Sequence, residues 1–347
     1  MSVTHRESIG SALARALAKD PDAILFGEDI ADPYGGAFKV TKGLSEDFPG
    51  RVVNTPISEA SITGLATGAA LRGLHPVLEI MFADFLTLCA DQIVNHASKF
   101  RSMFGDVDGL PMVIRAPTGG YRGYGPTHSQ SMERMFFGFP DMTIVAPSDF
   151  HDSGRLLEQA LDSRQLTLFM EHKLLYERTV LGNATESRYQ GFRLSRTQGA
   201  GLDETVVLTP CDPGETPMIT VVTYGGVSAM VFAAAREVFL EEEITCEIVV
   251  PAVIKQPRLD AIVASAKQSG RVLVVEEGHL SWGWGAEVAA QVMQHCFASL
   301  RSPVVRLAAK DEPIPCARPL EDAVLPQQRD VVLELMKLAE AADRRHG

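Results

Sequence analysis

From Ala23 onward, short apolar runs rich in β-branched residues alternate with longer stretches whose apolar positions recur at helical spacing. The runs "AILFG" (23–27), "PVLEIM" (76–81), "PMVIRA" (111–116), "MTIVAP" (142–147) and "LTLFME" (166–171) predict strands. Helices are predicted between them over 60–72, 84–103 and 149–162. Ahead of the first strand, Ile9, Leu13, Ala16 and Leu17 share one helical face, so the N-terminus is expected to pack as a helix. Strand–helix alternation of this kind predicts a largely parallel sheet covered on both faces, with function at the carboxyl ends of the strands.

Residues 182–217 break the rhythm, and "PCDPGETP" (210–217) reads as a turn cluster, so 186–217 is expected to be an interdomain linker. The alternation then restarts: strands at "MITVVTYGG" (218–226), "TCEIVV" (245–250) and "RVLVVEEG" (271–278), with helices over 227–241, 257–268 and 286–297. The fold class is therefore α/β with two domains, 1–185 and 218–347.

Composition narrows the function. With 46% apolar and 22% charged residues, the 347-residue chain is expected to be globular throughout. A net charge of −12 disfavours nucleic acid and anionic membranes as partners. No apolar stretch is long enough to cross a bilayer, and residues 1–20 carry Glu7 and Asp20 where a signal peptide would be apolar, so a cytoplasmic protein is expected. Five scattered cysteines without zinc spacing read as reduced thiols.

Candidate chemistry starts at "NTPISEASITG" (54–64). Glu59 is a lone acid among Ile57, Ala60 and Ile62, with no Lys or Arg closer than Arg51 and Arg72. A carboxylate in such surroundings should either have a raised pKa or be held by a hydrogen-bond donor, and that donor need not be protein. The Gly-rich stretch "PTGGYRGYGPTHSQS" (117–131) follows a predicted strand and is a candidate binding loop, with His128 its titrating group. Taken by itself, it also reads as a surface loop with an incidental histidine. "VTYGG" (222–226) and Gly283-Trp284-Gly285 resemble phosphate cradles, but the third glycine of the dinucleotide fingerprint is missing, and tight strand–helix turns are the simpler reading. Gly64 and Gly68 lie on one helical face and point to close helix packing, within the chain or between subunits. No Walker A, His-Glu-x-x-His or Gly-x-Ser-x-Gly motif is present.

Taken together, "GEDI", "GGAFKVTKGL", "NTPISEASITGLATGAALRGLHPVLEIMFADF", "DQIVN", "RAPTGG", "HSQS" and "VVEEG" resemble the β subunits of the thiamine-diphosphate-dependent 2-oxo acid dehydrogenases, a family that includes the pyruvate, branched-chain 2-oxo acid and acetoin enzymes. The resemblance implies a pyrimidine-binding domain followed by a transketolase-like C-terminal domain, paired with an α subunit as α2β2. It implies that Glu59 hydrogen-bonds N1′ of the cofactor's aminopyrimidine, exchanging a proton that helps to deprotonate thiazolium C2. It further implies that Phe85 packs on that ring, that Ile57 lines the pocket, and that His128 serves the substrate side.

The family's diphosphate and magnesium anchor, Gly-Asp-Gly with a later Asn, is absent, since "GDVDG" (105–109) has the wrong spacing. Mg2+ is therefore expected on the partner subunit. A potassium site is implied at the backbone carbonyls of Met112, Ala160, Leu161, Ser163 and Gln165, although Ser163 replaces the usual acid. Val249-Val250-Pro251 likewise replaces the family's Asp-Leu-Arg. The function implied is oxidative decarboxylation of a 2-oxo acid, with acyl transfer to the lipoamide of an acyltransferase partner. The alternatives are the C-terminal half of a split transketolase or deoxyxylulose-phosphate synthase and, from another class, a catalytically silent assembly subunit.

Overall fold

The computed structural model describes residues 2–105, 109–182, 186–198, 202–211 and 216–343. The centre of "GDVDG" and residues 212–215 of the expected turn cluster lie outside them. The chain divides into two compact units, residues 1–119 with 130–181, and residues 120–129 with 182–347.

The first unit runs α1 (His5–Lys19), β1 (Ala23–Gly27), α2 (Leu44–Asp47), β2 (Val52–Asn54), α3 (Glu59–Leu71), β3 (His75–Glu79), α4 (Leu86–Asp91), α5 (Phe100–Phe104), β4 (Val113–Thr118), β5 (Thr143–Val145), α6 (Ser153–Asp162) and β6 (Thr167–His172). Among the described residues its sheet has the order β2-β1-β3-β4-β6-β5, and every pairing is parallel. Parallel strands are covered on both faces, which is why they read as unbroken apolar runs. α1 starts with a capping box between Thr4 and Glu7 and buries Ile9, Leu13 and Leu17, as its spacing predicts. The helix expected over 84–103 is interrupted by a π-helical turn at Gln92–Ala97. There Ser98 Oγ donates to Val94 O, a back-bond of the kind that bends helices.

The second unit runs β7 (Glu186–Tyr189), β8 (Phe192–Gln198), β9 (Glu204–Pro210), β10 (Ile219–Thr223), α7 (Ser228–Glu242), β11 (Cys246–Pro251), α8 (Asp260–Ser269), β12 (Val272–His279), α9 (Trp284–Cys296), β13 (Val305–Ala309), α10 (Arg318–Val324) and α11 (Gln328–Asp343). Its described strands order as β13-β12-β10-β11-β9-β8-β7. The half from β13 to β11 is parallel, and β9, β8 and β7 add on antiparallel.

The linker expectation for 186–217 is therefore corrected, because most of that segment is sheet. β8 alternates as a half-buried strand should, with Phe192, Leu194 and Arg196 inside. The inward charge disguises it. Arg196 Nη1 pairs with Glu204 Oε1 at 3.0 Å, with both side chains almost fully buried. Val249-Val250-Pro251, where the sequence departs from the family pattern, lies in β11 and pairs antiparallel with Val207, Val206 and Thr205 of β9, with Val249 and Val250 buried.

Candidate active site

Glu59 is the first residue of α3, at the carboxyl edge of the parallel sheet, where the helix N-terminus favours negative charge. Its residue is 8% exposed, and among the described residues no donor reaches its carboxylate. The backbone there is tied down: Thr63 Oγ1 donates to Glu59 O (2.7 Å) and Thr67 Oγ1 to Thr63 O (2.9 Å). Cys89 Sγ contacts Glu59 O at 3.5 Å and Phe85 O at 3.6 Å, which brings the turn holding Phe85 to the start of α3. Burial pushes the Cys89 thiol up to about 12, so it acts as a packing group. Phe85 is half-buried and meets Phe82 edge-on at 5.9 Å. Ile57 is 82% exposed, an apolar side chain left uncovered beside the acid.

Sequence reasoning assigned no role to Glu28, which follows β1 in "GEDI" and is 6% exposed. Burial raises its carboxyl above the ordinary range, and the charge of Glu59 adds to the rise. Glu28 Oε1 also accepts from Ser58 N (3.3 Å), the residue before Glu59. An acid directly after an apolar strand, at the edge where α/β sites form, was the available signal.

The Gly-rich loop starts at the end of β4. Its far stem is held within the first unit, where Gln130 N and Nε2 both donate to Asp84 Oδ1 (3.4 and 3.0 Å). Its body, residues 120–129, belongs to the second unit and is described there. Gly120 N donates to Glu277 and Gly123 N to Glu321, while Tyr121 OH donates to Pro326 O (2.9 Å). Gly125, at φ +80°, packs so closely on Cys316 that a Cβ would lie 2.4 Å from Sγ. His128 is partly buried, with Nδ1 2.9 Å from Thr127 Oγ1 and its N–H donating to Gly125 O (3.2 Å). This is a built loop.

The glycines at 283 and 285 are also explained. Gly285 N donates to Glu276 Oε1 (2.8 Å), and a Cβ at Gly283 would lie 2.6 Å from either Glu276 oxygen. A carboxylate of the chain itself occupies the start of α9, the place a phosphate would take in a nucleotide cradle.

Of the carbonyls expected to hold potassium, Met112, Ala160 and Leu161 border one cavity of about 300 Å3. Met112 O already accepts from Thr167 N (2.9 Å), Ala160 O from Ser163 Oγ (2.7 Å) and Gln165 O from Thr167 Oγ1 (3.2 Å). Among the described residues, no three His, Cys, Asp or Glu side chains converge as they would on a metal ion. None of the described helices is long and apolar enough to cross a membrane.

A parallel α/β unit with a buried helix-start acid, followed by a mixed-sheet α/β unit, defines the transketolase-like class. Residues 1–179 match the family described as transketolase, pyrimidine binding domain, and residues 213–331 match transketolase, C-terminal domain. The chain is 33% identical over 345 residues to the pyruvate dehydrogenase E1 component subunit beta of Rickettsia bellii, covering 97% of this chain and 99% of that one. It is 32% identical to the acetoin:2,6-dichlorophenolindophenol oxidoreductase subunit beta of Cupriavidus necator, with 95% of each covered. A solved structure described as a split gene transketolase, inactive beta4 tetramer, superposes with a TM-score of 0.71 over 97% of this chain and 98% of the other. At 21% identity that likeness shows the fold alone. The chain belongs to the β subunits of the 2-oxo acid dehydrogenase first components, the thiamine-diphosphate-dependent family to which its motifs point.

Proposed function

We propose that this chain supplies the aminopyrimidine half of a thiamine diphosphate site and works only with an α subunit carrying the diphosphate and Mg2+ anchor, as α2β2. The observation that carries the reading is Glu59: a buried acid on a helix N-terminus, without a protein donor among the described residues, tied through Cys89 to an aromatic turn. An aminopyrimidine nitrogen is the donor such an acid lacks. Thiamine diphosphate, when bound, supplies a nucleophilic thiazolium carbon and an acceptor for the electron pair released with CO2. Glu59 holds and exchanges the proton at N1′, with Glu28 as the acid next to it; Phe85 offers a ring face, and Ile57 is apolar surface for the ring or the partner to cover. His128 moves a proton on the substrate side. The lipoyl disulfide of an acyltransferase partner would then be the oxidant: its S–S bond breaks, one sulfur takes the fragment left after CO2 departs as an acyl thioester, and the other is released as a thiol. The potassium reading gains no such support, because Ser163 replaces an acid and three of the five carbonyls already accept hydrogen bonds.

The test is co-purification with the α subunit, followed by a screen of 2-oxo acids and acetoin with an artificial electron acceptor. Turnover by the pair is expected. In calorimetric titration with thiamine diphosphate and magnesium, the single chain should bind only weakly. Tight binding by the single chain would contradict the split site.

A further inference from the structure

The loop carrying His128 is held by two carboxylates that no step of the proposed chemistry uses. Glu321, on α10, is fully buried, and both of its oxygens accept the Gly123 N–H, at 3.2 and 3.1 Å. Glu277, in β12, is 6% exposed and accepts the Gly120 N–H. Between these anchors Tyr121 is held at both ends, its hydroxyl on Pro326 O and its carbonyl accepting from Arg318 Nη1 at 3.0 Å. Tyr121 and Gly123 lie at φ +64° and +68°, a backbone that needs external support at the non-glycine position. Two residues beyond Gly123, Gly125 rests on Cys316, and its carbonyl accepts the His128 N–H. A continuous set of contacts thus runs from β12 and α10 to the backbone of His128, all within one unit.

A carboxylate is suited to this work. It accepts from backbone N–H groups with charge-assisted strength, and both carboxylates are largely withdrawn from solvent. The function is geometric, since a general acid or base misplaced by about 1 Å loses on the order of 10²-fold in rate. We infer that Glu321 and Glu277 are positioning residues for His128, Glu321 through Gly123 and Glu277 through Gly120. The inference rests on the reading that His128 acts on the substrate side of the proposed reaction.

The experiment is a double-mutant cycle in the assembled α2β2 enzyme, combining Glu321→Ala, Glu321→Gln and His128→Ala. Glu321→Ala should lower kcat by about 10- to 100-fold with KM and the cofactor Kd within about twofold. Glu321→Gln keeps one accepting oxygen and should recover most of that loss. In the His128→Ala background, Glu321→Ala should cost no further kcat, because it acts only through the missing imidazole. Hydrogen exchange of the 118–131 peptide should rise in Glu321→Ala while exchange in the rest of the chain stays at the wild-type rate.

Multiplying losses in the double mutant, or wild-type kcat in Glu321→Ala, would overturn the inference. So would a lower melting temperature with an unchanged rate per folded site, which is the pattern of a merely structural carboxylate. Failure of the functional reading is distinguishable, because it appears already as absent 2-oxo acid turnover in the wild-type enzyme.

Discussion

Arg115→Met should be among the most destabilising single changes in the first unit. Arg115 is 1% exposed at the centre of the sheet, where β3, β4 and β6 lie side by side. Its Nε and Nη2 bond both oxygens of Glu171 at 2.7 and 2.8 Å, and its Nη1 bonds Glu79 Oε2 at 2.7 Å. Tyr176 OH completes the shell on Glu171 at 2.7 Å. Burial works against the guanidinium's charge, yet Glu171 and Glu79 hold its pKa above the ordinary value. Methionine fills much of the volume but leaves two carboxyls without their cation. Breaking a buried pair in this way costs about 3–5 kcal/mol. At roughly 2–4 °C per kcal/mol for a domain of about 150–250 residues, the melting temperature should fall by about 6–20 °C.

The deficit should depend on pH. Burial already raises the Glu79 carboxyl against the pull of Arg115, and losing that pull raises it further. A raised carboxyl binds a proton in the folded state that the unfolded chain has released, so its stability contribution is present at low pH and lost as pH rises through the folded pKa. Thermal unfolding of the full chain, followed by circular dichroism, should therefore show a larger deficit at pH 8 than at pH 5. A variant melting within about 2 °C of wild type at pH 8 would refute the reasoning, since the cluster would then need no cation.

Two further outcomes are expected. Burial lowers the pKa of His5, against Asp149 and Asp152 and with Arg178, and Ser153 Oγ lies 2.6 Å from its Nδ1. The depressed value means that stability is full above about pH 6.5 and falls as the unfolded chain's imidazole takes up a proton below it. His5→Gln should flatten the wild-type decline in melting temperature between about pH 6.5 and 5, and an equally steep decline would place the acid sensitivity elsewhere. Burial pushes the Cys89 and Cys246 thiols up to about 12, whereas Cys316 is exposed. Iodoacetamide at about pH 8 should label Cys316 first and the buried pair only after denaturation, as read by peptide mass spectrometry. Labelling of Cys89 in the native chain would contradict its place between Glu59 and Phe85.

How much the sequence disclosed follows from which interactions are local. β1 coincides with "AILFG", and α3 begins one residue before the predicted helix, because parallel strands and small-residue helices announce themselves by apolar runs and spacing. β2 has only three residues and gave no period to count. β8 and β9 were hidden because their inward positions include the Arg196–Glu204 pair, which reads as polar until the partner is seen. Glu59 was legible as an acid in the wrong company. The Glu28 pairing was not, since it depends on the side-by-side placement of β1 and β2. Nor was the grip on the Gly-rich loop, whose carboxylates lie 157 and 198 residues away in sequence. Motif resemblance supplied the family. Local physics supplied the oddities the family explains.

The central claim is that Glu59 exchanges a proton with the cofactor's aminopyrimidine. The most direct measurement is hydrogen–deuterium exchange at thiazolium C2 in the assembled enzyme, comparing wild type with Glu59→Gln. Glutamine keeps the volume and an accepting oxygen but cannot ionise, so assembly should survive while C2 exchange slows by about 10²–10⁴-fold, equivalent to about 3–5 kcal/mol of barrier. Wild-type exchange in a well-folded Glu59→Gln tetramer would contradict the account.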